Sequence, residues 1–141
     1  MTQIMASLKL IDNKVMFEGR SRDNNHVTLD YFPPIGEGKG YTGLELLMIS
    51  LAGCSATSIV SMLRKMKKDI TDFKVEVTGD RKECHPTVLT RIMLKFTLIS
   101  TDTNKDELER VISLSEETYC PVWAMLKPTC EIQVASEILL S

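Results

Sequence analysis

The chain has 141 residues, close to the commonest size of one domain, and at that length a fold buries roughly two thirds of its unfolded surface. Hydrophobic residues at 43% and charged residues at 26%, with a formal net charge of -2, exclude a disordered polyelectrolyte and lack the basic surplus that drives sequence-independent nucleic-acid binding. A single domain over residues 1–141 is therefore expected, with no nucleic acid as partner.

The opening stretch MTQIMASLKLIDNK has no charged start followed by an apolar run and a small-residue cleavage site, so it does not read as a secretory signal, and a cytoplasmic location is expected. Residues 4–10, 14–18 and 26–31 carry short β-type patterns separated by the turn formers at 12–13 and 21–25. They predict an antiparallel meander over residues 1–32. PPIGEGKGYTG, with two prolines and four glycines, predicts an extended loop over 33–41.

Thr42 and Glu45 stand three apart at the head of an apolar run, the spacing of a capping box, in which each side chain satisfies the other residue's backbone amide. A long helix follows, ending at Lys67 and Lys68, whose charges suit the negative end of its dipole. Leu44–Leu63 is the most apolar window, but Glu45 and five interspersed serines and threonines make it a poor lipid-facing segment, so a buried helix and no membrane contact are expected. Apolar and small residues on nearly every face predict a central helix enclosed by other elements.

Phe73, Val75 and Val77 alternate with polar neighbours, and Val88–Ile99 is a longer β-rich run. Two strands joined through GDRKECHP at 79–86 are predicted. Asn104–Thr118 reads as an amphipathic helix, Pro121 opens a short helix running to Lys127, and Ile132 and Val134 mark a last strand. The fold class is α+β.

The four cysteines, at 54, 84, 120 and 130, contain no CxxC pair, so neither a disulfide-stapled fold nor a metal site is expected. Cys54, among Ala and Gly in a helix, reads by itself as a small hydrophobe. Cys120, just before Pro121, falls at a helix start, where free amides stabilise a thiolate. Cys84 and His85 are adjacent in a turn and would point opposite ways; Cys130 opens the last strand as core. His26 has no neighbour in sequence that makes it a base. Trp123 and Met125 are candidates to line an apolar pocket beside Cys120.

The segment GLELLMISLAGCSA, ending at Ala56, resembles the helix around the peroxidatic cysteine of the OsmC/Ohr family, and SEETYCPV at 115–122 resembles that family's second-cysteine motif. ECHP at 83–86 ahead of a long strand, and the 66 positions between Cys54 and Cys120, extend the likeness over nearly the whole chain. The resemblance implies antiparallel sheets around a long central helix and an intertwined homodimer with its sites at the subunit interface. It also implies a hydroperoxide substrate, with Cys54 peroxidatic and Cys120 resolving, no bound cofactor, and an external dithiol or dithiol protein as reductant.

The family's catalytic Glu stands ten positions before the reactive cysteine, where this chain has Leu44; Glu45, one position later, is the candidate, alongside its capping role. Arg20 is the candidate for the family's arginine, with Arg22 beside it. Two other readings stay open. One is an OsmC-like dimeric binding protein with little peroxidase chemistry, holding a small apolar or thiol ligand; the other is a cysteine hydrolase, which requires a His near Cys54.

Overall fold

The computed structural model describes residues 2–140, and the chain divides after Leu47 into two compact units. The first contains β1 (Ser7–Leu10), β2 (Phe17–Arg20) and β3 (Val27–Leu29), paired antiparallel in that order. The predicted meander is present, but its second strand begins three residues later than the pattern at 14–18 indicates. The cause is Asp12, whose Oδ1 accepts the amides of Lys14 and Met16 and keeps that stretch in a turn. Gly19, at the centre of the meander, is buried between Leu8 and Val27 of the flanking strands.

The Pro/Gly loop is organised from inside by Asp30, which is 4% exposed. Its carboxylate accepts the amides of Tyr31, Glu37 and Lys39 at 2.8–3.2 Å. Burial opposes the charge, but the three amides outweigh it and hold the carboxyl below its ordinary value. A side chain at Gly36 would collide with Asp30 Oδ1 and the Tyr31 carbonyl, which explains a glycine there.

α1 (Gly43–Lys65) starts with the predicted capping box: Thr42 N donates to Glu45 Oε1 at 2.8 Å and Glu45 N to Thr42 Oγ1 at 3.2 Å. It ends where Lys67 adopts a left-handed φ of 59° and Lys68 N returns to the Leu63 carbonyl. Within one chain the helix is not enclosed on all sides. Leu51, Ser55, Ile59 and Leu63, at four-residue intervals, form its buried stripe, while Ile49 is 51% exposed. α1 is long and apolar enough to cross a membrane by length and composition only, a test that the core helix of a globular fold also passes.

The second unit is built on β4 (Asp72–Arg81), β5 (Leu89–Ile99) and β6 (Glu131–Leu139), with β5 central. Antiparallel pairing holds for β4 with β5, but β6 runs parallel to β5, which corrects the expectation of purely antiparallel sheets. Parallel neighbours need a long crossover. Here it is helical: α2 (Lys105–Leu114), a π-helix (Ser115–Tyr119) and α3 (Pro121–Leu126). The core lies on one face of β5, where Ile92, Leu94, Phe96 and Leu98 alternate with more exposed neighbours and are fully buried. Each contributes on the order of 1.5–3 kcal/mol by leaving water. Phe73 of β4 stacks on Phe96 at 6.1 Å, and Met48 of α1 lies over Gly79 of β4.

Candidate active site

Two elements of the second unit bring Cys54 and Cys120 together. Cys54 stands half-buried on α1, one position before the buried Ser55 and four before Ser58, so Cys54 and Ser58 share a helix flank. Cys120 is 3% exposed and follows the π-helix, whose wider turn is closed by Cys120 N donating to the Ser115 carbonyl at 2.9 Å. The predicted helix over 104–118 thus changes pitch after Leu114, and that change sets where Cys120 emerges. Its extended backbone then caps α3, with Pro121 at the first helical position.

Both thiols are free, and the Cys54 thiol is near enough to Cys120 to act on its protonation. The Cys120 sulfur also accepts the Trp123 amide at 3.4 Å, as expected for a cysteine at a helix start. The expected thiolate stabilisation does not follow. Burial dominates and, against the amides of Trp123 and Val122 but with the Cys54 thiol, pushes the Cys120 thiol up to about 11. In the reduced state Cys120 therefore carries its proton. Two adjacent thiols of this kind can lose two electrons and two protons to become one disulfide.

A set of serines, to which the sequence reading gave no role at the site, links the two cysteine-bearing elements. Ser115 Oγ and Ser58 Oγ are 2.6 Å apart, Ser58 Oγ donates to the Ser55 carbonyl at 3.0 Å, and Ser115 Oγ lies 3.4 Å from the same carbonyl. Ser55 and Ser115 are fully buried. The signal in the sequence was spacing: Ser58 one helical turn after Cys54, and Ser115 one π-turn before Cys120.

The other candidates are placed as follows. Glu45 is exposed and its carboxylate is engaged in the α1 cap; nine helical steps of about 100° turn it to the side of the helix opposite Cys54. Arg20, in the first unit, donates through Nη1 to the Asn24 carbonyl at 3.1 Å and has Nη2 3.5 Å from His26 Nδ1. His26 also lies 3.9 Å from Glu18, so it has polar neighbours that sequence order does not reveal. Cys84 is exposed in the β4–β5 turn with His85, and Cys130 is buried immediately before β6. Trp123 is buried, whereas Met125 is 67% exposed. Among the described residues no three His, Cys, Asp or Glu side chains cluster as a metal site.

The sequence profile of the OsmC-like protein family matches residues 36–135, which include both cysteines and the whole second unit as far as the middle of β6. The chain belongs to the OsmC-like family. Protein YhfA of Escherichia coli (strain K12) is 29% identical over 136 residues, covering 96% of this chain and 98% of that protein. A crystal structure of a protein from Aquifex aeolicus VF5 superposes with a TM-score of 0.88 at 28% identity, covering 100% of this chain and 99% of that one. At 16% identity the fold alone is shared with an organic hydroperoxide resistance protein OsmC from Legionella pneumophila, with a TM-score of 0.71 and 97% coverage of both chains.

Proposed function

We propose that the chain is a thiol-dependent peroxidase for organic hydroperoxides, serving in oxidative stress defence. The observation that carries this reading is that Cys54, half-buried, and Cys120, buried, sit on separate elements as neighbours close enough for one thiol to act on the other. Membership of the OsmC-like family and the hydroperoxide-resistance name of a fold neighbour support it.

In the proposed cycle the Cys54 thiolate attacks the terminal oxygen of ROOH; the O–O bond breaks, Cys54 becomes a sulfenic acid, and RO⁻ takes a proton to leave as alcohol. The Cys120 sulfur then attacks the sulfenic sulfur, water leaves, and a disulfide forms. An external dithiol reduces that disulfide to two thiols and becomes a disulfide itself. The net reaction turns one hydroperoxide and one dithiol into alcohol, water and one disulfide, with no bound cofactor.

Arg20 is proposed to orient the peroxide; Glu45, committed to the α1 cap on the side of the helix opposite Cys54, is given no part in the cycle. The cycle is proposed to run in the cytoplasm, in a homodimer, without nucleic acid or membrane. Consumption of an organic hydroperoxide in the presence of a dithiol, compared between the native chain and Cys54→Ser, tests the reading: loss of turnover in the variant is expected, and equal consumption by both would overturn it.

A second reading is favoured by one observation, the commitment of the Glu45 carboxylate to the helix cap with Leu44 beside it. On that reading the fold holds a small apolar or thiol ligand near Cys54, with weak or no peroxidase activity. A ligand that raises the melting temperature of the native chain, together with thiols that hydroperoxide oxidises slowly or not at all, is its expected signature.

A further inference from the structure

We propose that the Ser58–Ser115 hydroxyl pair is a clasp that positions the two cysteines, fixing the effective concentration of Cys120 at Cys54. The proposal rests on the two-cysteine reading above and adds to it a device that controls how readily the disulfide closes.

The geometry is specific. Ser115 begins the π-helix whose fifth-residue hydrogen bond ends on Cys120, and Ser58 lies one helical turn beyond Cys54. The 2.6 Å contact between the two hydroxyls therefore ties the Cys54 segment of α1 to the segment that delivers Cys120. Whichever hydroxyl donates, the chain of protons ends on the Ser55 carbonyl: Ser115 to Ser58 to Ser55, or Ser58 to Ser115 to Ser55. The buried group is thus satisfied in either direction, and no side-chain nitrogen or oxygen buried among the described residues lacks a partner. An apolar pair would fill such a position by packing alone; a directional hydrogen bond also fixes the relative register of the two segments.

Positioning is separable from chemistry because disulfide closure can be driven by glutathione. One Cys54 thiolate displaces glutathione thiol from oxidised glutathione, and Cys120 displaces the second, so two protein thiols and one oxidised glutathione give one protein disulfide and two glutathione thiols. The equilibrium constant of that exchange measures the effective concentration of the thiols without any peroxide.

The experiment equilibrates the native chain, Ser58→Ala, Ser115→Ala, the double variant and the control Ser61→Ala with glutathione redox buffers, and quantifies the Cys54–Cys120 disulfide by peptide mass mapping. Circular dichroism checks the fold. A net hydrogen bond of ordinary strength predicts that either clasp variant lowers the equilibrium constant by about threefold to tenfold. The double variant should fall no further than the worse single one, and Ser61→Ala should stay at the native value. Because Ser58 is half-buried and Ser58→Ala substitutes a strong helix former, that variant keeps the test valid if Ser115→Ala misfolds. An unchanged constant in folded Ser58→Ala, or no Cys54–Cys120 disulfide in the native chain at any glutathione ratio, would overturn the clasp. Failure of the peroxidase reading looks different: the disulfide closes in glutathione with the serine dependence intact, while hydroperoxide leaves the thiols untouched.

Discussion

Cys120 shows how a single residue's surroundings decide what it does. The sequence places it before Pro121, and the structure duly makes it the cap of α3, with the Trp123 amide on its sulfur. Burial, which no local pattern discloses, reverses the electrostatic outcome and pushes the thiol up to about 11. The direction fixes a pH dependence. Closure requires the Cys120 thiolate, and below pH 11 that form grows with each added pH unit, so the rate of disulfide closure should rise about tenfold per unit between pH 7 and pH 9. Trp123, the only tryptophan, is buried three positions after Cys120 and gives its backbone amide to the Cys120 sulfur, so stopped-flow fluorescence of its indole offers the readout. A closure rate flat over that range would contradict a protonated Cys120. The serine clasp was less legible than the cysteines, because the partner of Ser58 is 57 positions away and only the folded chain shows the contact.

At the scale of elements, the helices and strands were legible where local chemistry determines them. The Thr42/Glu45 capping box is present on both sides, and Asn104 with Glu107 forms a second one at the head of α2. Glu45→Ala is expected to cost about 1 kcal/mol in chemical denaturation, as loss of a cap does, while Glu45→Gln should retain the cap and most of the stability. A Glu45→Ala variant as stable as the native chain would show that the cap contributes nothing. What the sequence did not reveal arises from longer range. The parallel seat of β6 depends on the crossover from Ser100 to Cys130, and the β-type alternation of Ile132 and Val134 is the same for either direction. The π-helix is equally hidden, since SEETY reads as a continuing α-helix until Cys120 N is seen to close on Ser115.

At the scale of the whole molecule, several apolar side chains lack cover within one chain. β1 has no buried residue, with Leu8 and Leu10 about half exposed after Ile4 and Met5, and Ile49 on α1 is 51% exposed. A second copy is the proposed cover, with an interface of roughly 2,000 Å² or more, the size of obligate homodimers. Sedimentation equilibrium should then report twice the 15.9 kDa chain mass with no monomer at micromolar concentration; a 15.9 kDa species would contradict the dimer. The central claim, that Cys54 and Cys120 form one redox pair, meets its sharpest test in peptide mass mapping of the reduced protein after one equivalent of an organic hydroperoxide. The expected result is a Cys54–Cys120 disulfide in the native chain and a sulfenic acid on Cys54 in Cys120→Ser. Two unmodified thiols in the native chain would contradict it.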